Sequence, residues 1–257
     1  MSLVLAVLSL ASDPQIVDKI PKTEATSHLA TLESLLDEKK YLNLRETILN
    51  PKSKDELSES LIWLRDHWLE GNSAFVPMMY GLTLWLSTEK VPDGIYKRST
   101  RATAVASMLY FYGVIGIDGA RCADPTAPIN RLNQFPQIIP DLMSYIATMS
   151  PEEQKDVVEV AVGVEAKTAK KRDEIGDLDL MCVGGLRQIS YGLSKGGATT
   201  ELPAKPGQFG RQIGVDGSGY KPESLPAKIW QPVAKKAREE MSARLERLIA
   251  SINPAKK

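Results

Sequence analysis

Apolar residues recur at helical spacing along most of this chain. Leu29, Leu32, Leu35 and Leu36 share one face of a helix predicted over residues 23–36. Residues 41–49 continue the pattern as far as Asn50-Pro51, where proline removes a donor and restricts the residue before it. Ser53 and Glu56 fit a capping box, and Leu57, Leu61, Leu64 and Trp68 follow on one face until Gly71-Asn72. Ser73 can cap the next helix, which carries Phe75, Met78, Met79, Leu82, Trp85 and Leu86 with Pro77 in its first turn. The turn Val91-Pro92-Asp93-Gly94 ends it.

A fourth helix over 97–116 is polar at its start. It is apolar all round from Met108 to Ile115, as the buried centre of a bundle would be. Residues 118–128 are dense in Gly, Pro and Asp and read as a loop. Residues 129–149 read as helix, broken at Pro136 or Pro140. Ser150-Pro151-Glu152-Glu153 combines an N-cap serine, a first-turn proline and first-turn acids. That helix carries Val157, Val158, Ala161 and Val164 and turns basic at 167–172, which suits a C-terminus. Residues 178–193 read as another helix despite Gly184-Gly185.

Residues 194–226 hold seven glycines and four prolines and read as one long irregular loop, with strand alternation only at 212–215. A last helix over 226–252 aligns Trp230, Val233, Ala237, Met241, Leu245, Leu248 and Ile249. The expected fold is all-α: an irregular bundle of about eight helices, with the Gly/Pro-rich loop before the C-terminal helix. Residues 19–257 form a single helical domain on this reading.

Residues 1–18 read as a signal remnant or as an N-terminal helix. Met1 to Ala11 supplies an apolar run and a small-residue cleavage site, but no Lys or Arg precedes Lys19. The run is shorter than the roughly 20 apolar residues that span a bilayer, and no membrane span is expected elsewhere.

Composition narrows the function classes. The chain has 257 residues, with 32 basic and 32 acidic side chains and a net charge of +0. That balance gives no electrostatic reason to bind nucleic acid. His28, His67, Cys122 and Cys182 have no pair at metal-ligand spacing, so no metal site is expected. Neither histidine stands in a Ser–His–Asp pattern, no Gly-rich phosphate loop follows a strand, and no catalytic residue or cofactor is assigned.

Two features stand out. Cys122 and Cys182 both sit beside loop-like sequence. In an oxidising compartment they would form one long-range disulfide; in a reducing one they would be buried thiols. The segment containing Cys122 also carries Asp118, Arg121, Asp124 and Arg131. These four could offer a ligand or partner site through bidentate arginines, or could cap helices and pair to hold the loop.

The stretch Asp118-Gly119-Ala120-Arg121-Cys122-Ala123-Asp124-Pro125 through Arg131, with Asp179 to Leu186 and the late Trp230, resembles secreted α-helical proteins of proteobacteria that have no assigned activity. That resemblance implies the pairing of Cys122 with Cys182. Met79-Tyr80-Gly81 and Phe111-Tyr112-Gly113, 32 residues apart, are weakly similar to Sel1/TPR-type helical repeats.

The expected function is a non-enzymatic interaction module of the periplasm or exterior, of immunity, inhibitor or adaptor type, whose partner is another protein. Two alternatives remain open: a cytoplasmic helical-repeat scaffold, and a cell-wall hydrolase using two carboxylates.

Overall fold

The computed structural model describes residues 26–202 and 212–252. In chain order its helices are α1 (Ser27–Asp37), α2 (Tyr41–Leu49), α3 (Lys54–Leu69), α4 (Phe75–Ser87) and α5 (Ile95–Asp118). After a 3-10 turn (Gly119–Arg121) come α6 (Thr126–Ile138), α7 (Leu142–Thr148), α8 (Pro151–Ile175), α9 (Leu178–Met181) and α10 (Leu186–Ser194). A hairpin of β1 (Thr199–Leu202) and β2 (Gln212–Val215) precedes α11 (Ala227–Glu239) and α12 (Met241–Ile252). Among the described residues the fold is all-α apart from that hairpin. The expected signal or N-terminal helix at 1–18 lies outside the described residues.

The described residues hold twelve α-helices where about eight were expected, because four predicted segments each split, the first of them into α1 and α2 at Lys39 (φ +54°). Pro140 separates α6 from α7. The preceding Ile139 is driven into extended backbone (φ −133°, ψ 95°), as a residue before proline must be. Pro136, by contrast, is exposed and is accommodated inside α6. Gly184, at φ +83°, separates α9 from α10. Glu240 separates α11 from α12. The 118–128 loop is also shorter than expected: α5 runs through Asp118 and α6 begins at Thr126.

The 194–226 segment is not wholly irregular. β1 and β2 pair antiparallel, with Thr199 opposite Val215 and Leu202 opposite Gln212. The alternation at 212–215 is one strand of that pair; residues 203–211 lie outside the description.

Helix α5 is the axis of the fold. It has 24 residues, and α4, α6, α8, α11 and α12 pack on it. Met108, Leu109, Tyr110, Phe111, Val114 and Ile115 are fully enclosed. Each large apolar side chain so buried contributes roughly 1.5–3 kcal/mol. Small residues let α4 come close: a Cβ on Gly81 would lie 2.8 Å from Met108 Cγ and 3.1 Å from the Ala104 carbonyl.

The span Ile95–Arg121 is long and apolar enough to cross a membrane, with a mean hydropathy of 1.2. However, 89% of that window is buried inside the protein, which is the position of a core helix. Gly113 and Gly116 within this helix are contact points for Met241 and Arg244.

Candidate functional site

The residues singled out between Asp118 and Arg131 meet five other parts of the chain. Cys122 and Cys182 are bonded to each other, which joins the 122–125 loop to the end of α9. On its other side the loop pairs like a strand with residues 223–225. Ala123 N–H donates to the Glu223 carbonyl at 3.0 Å, and Leu225 N–H donates to the Arg121 carbonyl at 2.7 Å.

Each candidate charge has an internal use. Asp118 forms a fully buried ion pair with Arg172, and Arg172 also donates to the Asn72 carbonyl at 2.6 Å. Arg121 donates to Asp173 Oδ1 at 2.8 Å while its guanidinium lies 3.7 Å from the Trp230 ring centre. Asp173 also receives Arg238 at 2.8 and 3.1 Å, and Arg238 reaches Glu165 at 2.9 Å. The network therefore ties the 3-10 turn, α8 and α11 together. Arg131 donates to the Leu180 carbonyl at 2.5 Å.

Burial lowers the pKa of Arg121, with Asp173 opposing it, and burial likewise lowers that of Arg131. For Arg238 burial pulls the same way, but its bonds to Asp173 and Glu165 win and raise it. Asp118 Oδ1 and the Nε atoms of Arg121, Arg131 and Arg172 have no hydrogen-bond partner among the described residues. The buried charges thus bring a desolvation cost that their pairing must offset.

Asp124 has a different task. Oδ1 accepts from the Thr126 amide at 3.0 Å and the Thr126 hydroxyl at 2.6 Å; Oδ2 accepts from the Arg187 amide at 2.8 Å. The Thr126 hydroxyl oxygen accepts from the Leu186 amide at 2.8 Å. Leu186 and Arg187 are the first two residues of α10, so the loop caps α10 from a distance and satisfies amides the helix cannot. Burial acts to raise the Asp124 pKa, but these bonds outweigh it and hold the carboxyl below its ordinary value. Gly185 allows the approach: a Cβ there would strike the Asp124 carboxylate and lie 2.8 Å from the Ala127 nitrogen.

The helix so held is amphipathic with its apolar stripe outward. Leu186, Ile189 and Leu193, at i, i+3 and i+7, are 61%, 42% and 58% exposed. The opposite side is tied down: Gln188 donates to the Gly217 carbonyl at 3.4 Å, and Gly192 is buried with no room for a Cβ beside the Asp216 carbonyl.

Sequence reading missed Asp177. It is buried with a left-handed backbone (φ 40°), and it accepts from the Ala74 amide at 2.7 Å, Ser73 Oγ at 3.0 Å and the Tyr41 hydroxyl at 3.1 Å. Ser73, expected to cap α4, does so by accepting from the Phe75 amide at 3.2 Å, and Asp177 takes the Ala74 amide just before it. The nearest local signal is Gly176-Asp177 after a basic helix end. Arg172, Asp173, Glu165 and Arg238 were also missed, because nothing local distinguishes them from solvated helix charges.

Both histidines are occupied. His67 Nε2 lies 3.1 Å from Glu33 and Nδ1 lies 2.7 Å from the Asn72 amide, with no nucleophile beside them among the described residues. His28 meets Ser60 Oγ at 2.8 Å, but Ser60 is fully enclosed. No group of three or more His, Cys, Asp or Glu among the described residues could hold a metal. Glu159 and Glu246 line a groove of about 410 Å³ between α8 and α12. Glu159 faces Lys155 at 3.5 Å and Glu246 accepts from Ser242 at 2.9 Å. Neither sits in the dry apolar setting a general acid requires. Comparison with protein-family models, curated proteins and solved structures finds no match to this chain.

Proposed function

We propose that the protein is a non-enzymatic interaction module of the periplasm or exterior, of immunity, inhibitor or adaptor type, which engages another protein through α10. The observation that carries this reading is the outward stripe of Leu186, Ile189 and Leu193 on a helix anchored by buried Asp124 and the adjacent disulfide. Single exposed apolar residues are ordinary, whereas a stripe at helical spacing matches the face that enters a partner's groove. Anchoring the helix in advance reduces the ordering cost of binding. The disulfide fits an oxidising environment, and the periplasm or exterior is the setting that supplies one.

The test is photo-crosslinking in the native host from position Ile189. A discrete crosslinked protein is expected with the wild-type chain, and its loss with Leu186→Ser/Leu193→Ser. Both positions are exposed, so thermal unfolding should stay within about 0.5 kcal/mol of wild type. An unchanged crosslink in that double variant would remove α10 as the contact surface. Recovery of the chain in the cytosol with both thiols free would remove the localisation.

A further inference from the structure

A second surface has a different chemistry and shares no residue with α10. The start of α5 and the end of α7 flank an open cleft of about 490 Å³, lined by Asp93, Lys97, Arg98, Arg101, Tyr145 and Met149 among others. That volume falls within the roughly 300–1,000 Å³ of small-molecule sites.

The charges in its wall are not equivalent. Lys97 is paired with Asp93 at 3.0 Å. Arg98 makes a fork onto Glu153, with bonds of 2.6 and 2.7 Å. Arg101 has no carboxylate at ion-pair distance among the described residues. Its Nε donates to Thr88 Oγ1 at 3.2 Å, and Thr88 is fully enclosed. Its guanidinium carbon lies 4.4 Å from the Trp85 ring centre and 5.5 Å from that of Tyr145, two rings set nearly perpendicular at 84°. Trp85 is itself buried. Ring faces and Nε therefore fix the guanidinium plane, and its two terminal nitrogens have no protein acceptor among the described residues.

We infer that this cleft binds a small organic oxyanion, with Arg101 as the cation that recognises its carboxylate or phosphate group. A guanidinium presents paired N–H groups whose geometry matches two oxygens of such a group. Because its orientation is already held, little rotamer freedom is lost on binding. Counting Lys97, Arg98 and Arg101 against Asp93 and Glu153 leaves one positive charge, which suits one anionic group and repels a metal cation. Tyr145, Met149 and the exposed Ile95 offer apolar wall for the body of the ligand.

Isothermal titration calorimetry on the full chain at low salt tests this, with sodium benzoate, phenyl phosphate and inorganic phosphate as probes. Saturable binding with a Kd of about 1 mM or tighter is expected for benzoate or phenyl phosphate. The tighter of the two identifies the anionic group. Arg101→Gln should weaken that binding by about tenfold or more, because it removes the charged fork. Ile95→Glu places a negative charge at the mouth on a side chain that is 73% exposed, and should weaken it similarly without disturbing Trp85 or Arg101. It decides the matter if Arg101→Gln fails to fold. The inference is overturned by the absence of saturable heat for either organic probe at about 10 mM. It is also overturned by binding that Ile95→Glu and a folded Arg101→Gln leave unchanged, or by inorganic phosphate binding as tightly as the organic probes.

Discussion

Asp93-Gly94 and Asp118-Gly119 each lead into an arginine-bearing stretch, and the two stretches look alike as strings of residues. Their fates differ. Around Asp118 the chain folds back on itself repeatedly, so Arg121 meets α8 and Trp230, Arg172 meets Asp118, and Arg131 meets the end of α9. Around Asp93 only α7, the end of α4 and the first turn of α8 approach. Two cations find acids there and the third, Arg101, finds ring faces and a hydroxyl. The lesson is that an arginine-rich stretch becomes internal fastening where many segments converge, and keeps donors for a ligand where few do.

That contrast can be broken at its buried end first. Asp118→Ala strands Arg172 without its counter-charge in the core. It should cost about 3–5 kcal/mol in denaturant unfolding, and Asp118→Leu/Arg172→Met should recover much of the loss. Replacing both cysteines by serine should cost up to about 4 kcal/mol, since the bond closes a separation of 60 residues. Non-reducing and reducing melts of the wild type should differ in the same direction. Gly185→Ala forces Asp124 and the Ala127 amide away from α10, at about 1–3 kcal/mol, and should loosen the photo-crosslink from Ile189 as well. At the open end Arg101→Gln should cost about 1 kcal/mol or less, the scale of a cation–π contact, while weakening oxyanion binding about tenfold or more.

The smallest expected effect is on pH dependence. The Arg98 fork, aided by the Ser150 bonds and opposed by burial, lowers the Glu153 pKa from 4.5 to about 2. A carboxyl depressed in the folded state contributes stability above its unfolded pKa and loses it as pH falls through the folded value. Stability should therefore decline between about pH 4.5 and 2. Arg98→Gln should shrink the part of that decline due to Glu153. A decline of the same size in that variant would assign it to other carboxylates, Asp124 first among them.

Much of the helical framework was legible locally. The capping box at Ser150 and Glu153 forms as the residues dictate, because both partners lie within one turn. Ser53 caps α3 through the Glu56 amide for the same reason. The all-round apolar second half of α5 is buried because no face of it suits water. Breaks were less legible. Pro136 and Pro140 look equivalent in the chain, yet only Pro140 ends a helix, because Ile139 before it turns extended and enters the core. Of the site, the 118–131 stretch was recognisable as unusual from its Asp, Arg, Gly and Pro content. Its partners Arg172 and Asp173 were not, nor were Glu165, Arg238 and Asp177 around them, since each lies more than 40 residues from the group it serves.

The amino-acid sequence by itself determined the all-α class, most helix starts and the only intramolecular cysteine pair available. Those depend on periodicity, local capping and a count of two. Tertiary structure alone decided that Asp124 caps α10, that α10 turns its apolar stripe outward, and that Arg101 keeps its donors. The physical reason is that a charged or apolar side chain takes its meaning from what is brought beside it. Here that is set by contacts between segments far apart in the chain.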